Sequence, residues 1–171
     1  MARRTFSIGG VHPDDAKISR GCAIEALPVP GTVYISLSQH IGAPAKPVVA
    51  AGDKVKVGQP IAEPGGFVSA FIHSSVSGTV KSIGPRKDLA GNTQTYIEIA
   101  VEGDEWADGI DRSEDLITDI PEDGKSIIEK IRLGGVVGLG GATFPTHVKL
   151  TPPPGKKCEM LIINGCECEP Y

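Results

Sequence analysis

Two stretches of this sequence combine residue types and spacings that could do chemistry. The first is Gly134-Gly135-Val136-Val137-Gly138-Leu139-Gly140-Gly141-Ala142-Thr143-Phe144-Pro145-Thr146-His147-Val148-Lys149. Glycines let a backbone come close to a ligand. Proline is favoured at the first position of a helix, so the loop is expected to run into a helix at Pro145. Unpaired amides at such a start attract anions, and Lys149, one turn further on, is placed to reach back toward a phosphate. The order helix–loop–helix differs from the strand–loop–helix of a dinucleotide fingerprint, and the Gly-Lys-Ser/Thr of a P-loop is missing. A glycine-rich turn also has a purely structural reading.

The second stretch is Asn164-Gly165-Cys166-Glu167-Cys168-Glu169-Pro170. It follows Met160-Leu161-Ile162-Ile163-Asn164, an apolar run that reads as a buried strand. Ligands of α/β proteins sit at the carboxyl ends of such strands. Amide and carboxylate side chains there can hydrogen-bond sugar or ribityl hydroxyls and the edge of a flavin or nicotinamide ring. The alternative is a strand-end turn with solvated carboxylates. Cys166 and Cys168, with Cys22 and Cys158, complete the four cysteines. None of them forms a C-x-x-C, so no complete zinc or iron–sulfur site is expected within the chain. The pattern assigns no catalytic side chain and no metal ligand. His12, His40, His73 and His147 are scattered and read as structural, with His147 nearest the glycine loop.

The elements that must position these stretches differ along the chain. Lys125–Leu133 has Ile127, Ile128 and Ile131 at helical spacing, with Asp123 as N-cap and Gly134 as the residue just past the end. A short helical pattern covers Pro145–Leu150. Trp106–Asp123 is acidic and non-periodic and reads as a linker. Upstream lie short strand-like pieces: Thr32–Ser38, Pro47–Val49, Lys54–Val57, Pro60–Ala62, Phe67–Ile72, Gly78–Ile83 and Thr95–Val101. The 22 glycines and 14 prolines in 171 residues, about a fifth, suit that frequent punctuation. Short strands between turns imply a small barrel or sandwich. The expected organisation is mixed: an all-β domain over 1–115, with an N-terminal extension and linker, then the beginning of an α/β domain over 116–171.

Composition bounds the partners. With 40% hydrophobic and 22% charged residues the chain reads as a soluble globular protein. The net charge of −4 and dispersed Lys and Arg give no basic patch, so no nucleic-acid partner is expected. No apolar run approaches the roughly 20 residues that cross a bilayer. Arg3-Arg4 is followed by polar residues rather than the apolar stretch of a signal peptide. A cytosolic chain is expected, with a peripheral place on a membrane complex compatible.

Val49-Ala50-Ala51-Gly52-Asp53-Lys54-Val55-Lys56-Val57-Gly58-Gln59-Pro60-Ile61 resembles the first half of biotinyl and lipoyl carrier domains, and His73-Ser74-Ser75-Val76-Ser77-Gly78-Thr79-Val80 resembles the second. A carrier bears a lysine on the hairpin between its halves. Here that hairpin is Glu63-Pro64-Gly65-Gly66-Phe67-Val68-Ser69, without lysine. The resemblance therefore implies the fold, a barrel-sandwich hybrid, and not a carried arm.

The two chemical stretches resemble a family more specifically. Gly138-x-Gly140-Gly141-Ala142-Thr143-Phe144-Pro145-Thr146 is similar to the G-R-G-G-A-G-F-P-T loop of the flavoprotein subunit of respiratory complex I. Asn164–Pro170 is similar to its N-x-D-E-S-E-P segment. Gly9-Gly10-Val11-His12-Pro13, Leu37-Ser38-Gln39-His40-Ile41-Gly42-Ala43-Pro44, Gly138–Leu150 and Asn164–Tyr171, in that order, resemble the RnfC family of the Rnf ion-translocating electron-transport complex from end to end.

That resemblance implies an N-terminal barrel-sandwich hybrid followed by a domain for non-covalent FMN that exchanges hydride with NAD(H). It implies that Gly138, Gly140, Gly141 and Lys149 lie on the FMN phosphate side, and that Asn164, Glu167 and Cys168 face the ribityl chain and ring. It further implies two [4Fe–4S] clusters held beyond Tyr171, partner subunits of the Rnf membrane complex, and ferredoxin reached through that complex. The implied place is peripheral, on the cytoplasmic side of the bacterial inner membrane. The implied activity is that of an ion-translocating NAD:ferredoxin oxidoreductase; this segment alone is expected to be inactive and to bind FMN weakly or not at all, because ordering a site that lacks most of its walls costs entropy. A non-catalytic assembly and docking module is the alternative. Two departures stand out: Leu139 replaces the arginine of the complex I loop, and Cys166 replaces its aspartate.

Overall fold

Alternating β-branched residues build the barrel. In the computed structural model, which describes residues 16–120 and 123–163, the longest strands are β6 (Gly78–Lys87) and β7 (Thr93–Val101). β7 lies between β6 and β1 (Thr32–Ser36), antiparallel to both, and β3 (Lys54–Val55) closes the order β1-β7-β6-β3. A second sheet has the order β2 (Lys46–Pro47), β4 (Pro60–Glu63), β5 (Ile72–His73). Side chains alternate across a strand. The register sets Ile97 between Ile35 and Ile83, and Ile99 between Val33 and Val80. These residues, with Leu37, Val55, Ile61, Ala62 and Ile72, form one apolar core.

The two carrier-like halves interlock through reciprocal backbone bonds. Gly52 N donates to Val80 O while Val80 N donates to Asp53 O, at 2.8 and 2.9 Å. Gly58 N donates to Ser74 O while Ser74 N donates to Gln59 O, again at 2.8 and 2.9 Å. The Asp53 carboxylate caps its own turn by accepting from Ala50 N at 2.7 Å. β2, β3 and β5 come out shorter than their apolar runs suggest, because these cross-links replace long ladders.

The hairpin that carries the lysine in carrier domains is held down here. The His40 ring, buried, lies between Ile41 O, 3.1 Å from Nδ1, and Ala70 N, which donates to Nε2 at 3.1 Å. That fixes the neutral tautomer with the proton on Nδ1. Ala43 N donates to Val68 O at 3.0 Å. Gly42, at φ +95°, presses so closely on Val68 that a Cβ would overlap its carbonyl oxygen. The Leu37–Pro44 stretch thus acts as a clasp on the hairpin, leaving Phe67 exposed at the tip.

α1 (Gly124–Leu133) begins where the sequence indicates, with the Asp123 carboxylate accepting from Ser126 N at 2.8 Å. Three details differ from expectation. Gly134 is right-handed, at φ −71°, and serves as C-cap; the left-handed turn falls one residue later, on Gly135 at φ +64°. Pro145 is the N-cap of α2 (Thr146–Lys149) and not its first helical residue, because its ψ of 121° is extended. Met160–Ile163 form no strand and are 71–82% exposed. A strand needs a neighbour about 5 Å away to take its hydrogen bonds, and no described segment pairs with this run. The acidic connection is coil up to residue 120 and tied to the barrel at its start: Val57 N donates to Glu105 O and Ala107 N to Val57 O. Val29–Cys158 form one compact unit; the two ends of the chain form another, described only at 16–28 and 159–163.

Candidate functional site

The end of α1 delivers the chain to the glycine loop. Gly134 N donates to Lys130 O at 2.9 Å, and Val136 N to Ile131 O at 3.3 Å, so the last turn is satisfied. The left-handed Gly135 lets the backbone turn against β5, where a Cβ would overlap Phe71 O. A short bridge then closes the loop at its neck. Thr146 N donates to Val136 O at 2.9 Å and Gly138 N to Phe144 O at 3.1 Å.

Between those ties the backbone is loosely bonded. Residues 139–142 form a turn, and among the described residues no amide of 139–144 makes a hydrogen bond of good geometry. Successive outward amides beside a left-handed residue make a concavity that suits an anion. Here the left-handed residue is Thr143, at φ +49°. Lys149 folds back over this loop. Its Nζ lies 3.1 Å from where a Cβ on Gly138 would stand and 5.8 Å from the Phe144 ring centre. From Lys130 to Cys158 the sequence has Lys130, Arg132, Lys149, Lys156 and Lys157 and no Asp or Glu. In a chain of net charge −4, that makes the stretch locally basic, with Glu129 and Glu159 at its two ends.

Of the residues expected to meet a cofactor, the structure therefore brings Gly138 and Lys149 together, with Gly140 and Gly141 on the same exposed loop. Asn164, Glu167 and Cys168, with Cys166, lie outside the described residues. α2 is a single turn, so the loosely bonded amides belong to the loop and not to a helix start. Thr143 escaped notice in the pattern, although it stands where the complex I loop has glycine. Among the described residues no three His, Cys, Asp or Glu side chains converge as a metal would need.

A titratable cluster holds the loop's base to the barrel. Arg132 makes a two-pronged pair with Glu129, Nε and Nη2 donating at 2.8 and 2.7 Å, and stacks 5.2 Å over the Phe71 ring. Burial pushes the His73 ring below its usual range, against the opposing pull of the Leu133 carbonyl. Burial also lowers His147, helped by the Arg132 charge and opposed by Glu129. His147 Nδ1 is buried with no described hydrogen-bond partner.

Both rings are therefore held neutral in the fold. The unfolded chain takes up protons near pH 6.5, and the folded chain only at lower pH. Stability from these two groups is full above about pH 6.5 and falls as the pH drops below it. Melting temperatures measured between pH 7.5 and pH 5 should decline, and the pair His73→Gln and His147→Gln should flatten that decline. An unchanged slope in the double variant would refute the assignment.

Known proteins are similar in sequence to both parts of this chain. Residues 5–105 match the RnfC barrel sandwich hybrid domain. The chain belongs to the RnfC family. Residues 131–171, which contain the glycine loop, match the Nuo51 FMN-binding domain, so the α/β part is the start of that domain. Among RnfC relatives, the one from the proton-translocating ferredoxin:NAD(+) oxidoreductase complex of Clostridium ljungdahlii is 48% identical over 95% of this chain and 35% of its own length. The one from the Na(+)-translocating ferredoxin:NAD(+) oxidoreductase complex of Acetobacterium woodii is 41% identical over 95% of the chain and 37% of its own length. The one from the ion-translocating oxidoreductase complex of Pseudomonas aeruginosa is 40% identical over 99% of the chain. The chain spans about a third of the first two relatives and 22% of the third. No described helix is long and apolar enough to cross a membrane.

Proposed function

We propose that this chain is the N-terminal part of a subunit that passes electrons between NAD(H) and ferredoxin through FMN and iron–sulfur clusters, coupled to ion translocation. The names of its relatives support that reading, as does the FMN-binding domain matched at 131–171. The division at 115/116 separates a docking barrel from the flavin part. The subunit sits peripherally on the cytoplasmic side of the membrane, held by the other subunits of the complex, and the two [4Fe–4S] clusters belong to sequence outside these 171 residues.

The residues present suit a phosphorylated flavin. The loosely bonded amides of 139–144 and the folded-back Lys149 supply donors and positive charge at the loop, with no Asp or Glu between residues 130 and 158. Leu139, in place of the complex I arginine, leaves Lys149 as the cation of this loop. Asn164, Glu167 and Cys168 would line the ribityl chain and ring. Bound FMN would supply exchange between a two-electron hydride donor and one-electron clusters. The chain's own part is to bind and orient.

The observation that carries this reading is Lys149 Nζ lying over the glycine loop. The full-length subunit purified with FMN should be yellow and should quench flavin fluorescence. Lys149→Ala should weaken FMN about tenfold or more, the scale of a hydrogen bond to a charged group. A colourless full-length subunit that leaves FMN fluorescence unchanged would overturn the proposal.

A further inference from the structure

We infer that Thr143 determines the preference of this loop for a phosphorylated flavin, its hydroxyl serving as a phosphate ligand beside the loosely bonded amides. The inference rests on the flavin reading above and deepens it. The left-handed turn at residue 143 is what the loop needs: it follows directly on Ala142 and precedes Phe144, whose carbonyl closes the neck on Gly138 N. Glycine would make that turn without strain. A β-branched residue at positive φ is a genuine outlier, and Ala16 is the other described non-glycine residue there.

Thr143 is half-buried, and the one bond its hydroxyl makes does not account for the strain. The Thr143 hydroxyl donates to the carbonyl of its own neighbour, Ala142, at 2.7 Å in an exposed bond. It has no other described polar partner. A turn about χ1 frees that donor at little cost, because the bond it gives up is open to water. A strained conformation of this kind points to a task at a ligand site. The hydroxyl stands on the same short loop as amides that make no hydrogen bond of good geometry, and Lys149 Nζ lies beside Gly138 at the loop's neck. An added neutral donor there favours FMN over riboflavin, which lacks the phosphate.

The test uses the full-length subunit with FMN and riboflavin titrated in parallel, and the flavin-free protein melted. Thr143→Gly should raise the melting temperature by about 2–4 °C through relief of strain. It should weaken FMN about tenfold while leaving riboflavin unchanged, and Thr143→Ser should restore the FMN affinity. Wild-type FMN affinity in Thr143→Gly, or equal losses for both flavins, would overturn the inference and leave the flavin reading standing. A lowered melting temperature would refute the strain on which it rests. Failure of the unaltered subunit to bind FMN would bring down both.

Discussion

Alanine at Gly135 is expected to cost about 2–5 kcal/mol of stability and to remove flavin binding from the full-length subunit. Two effects add. The backbone there is left-handed, a conformation that costs an L-residue about 1–2 kcal/mol. The new Cβ would also overlap Phe71 O, a backbone atom at the edge of β5 that cannot move alone; overpacking of that kind costs about 1–3 kcal/mol. Relief would require α1 to lift away from Phe71 and His73. The glycine loop follows Gly135 by two residues, so its neck would move too. Gly134→Ala is the matched control: that residue is right-handed, and its Cβ would lie 3.3 Å from Lys130 O. It should cost less than about 1 kcal/mol. Urea melts and FMN titrations of the two variants side by side decide it; equal behaviour would show that the seat of α1 on the barrel is not what shapes the loop.

This contact also shows where sequence reasoning reached and where it stopped. The helix, its Asp123 cap and the barrel were all readable, because capping chemistry and two-residue alternation are local rules. Lys149 over the glycine loop was readable for the same reason: it is one turn from the loop it covers. The position of the left-handed turn was not. Gly134 and Gly135 are chemically identical, and the choice between them is made by Phe71, some sixty residues away in sequence. Met160–Ile163 went the other way. Its apolar run has the composition of a buried strand, but a strand forms only with a partner, and composition does not report whether one is at hand. The clasp of His40 and Gly42 on the carrier-type hairpin was visible as a motif and not as a mechanism. The missing lysine argued against a swinging arm; the reason the hairpin could not swing in any case is the pair of long-range bonds at Ala70 and Val68. Thr143 is the instructive omission. It departs from glycine in a motif already matched, and such departures are where strain and specificity meet.

Truncating Ile97 to alanine should destabilise the barrel by about 2–5 kcal/mol. Ile97 is fully buried on the central strand of the larger sheet, between Ile35 on one side and Ile83 on the other. Removal of three carbons there loses their transfer free energy and leaves a cavity. Closing it would require β1 and β6 to approach through a strand whose backbone bonds both of them. Against the roughly 5–15 kcal/mol that holds a domain, this is about a third at mid-range. The urea midpoint should fall while the slope of the transition stays the same, since the folded state is still compact. Thr95→Ala on the same strand, on the same face but exposed near the strand's start, should shift stability by no more than about 0.5 kcal/mol. The carrier-like halves are joined by reciprocal backbone bonds that do not depend on residue 97. The loss should therefore appear as one cooperative transition at lower urea. Two separated transitions would mean that the halves fold independently and that the isoleucine ladder is not the common core of the barrel.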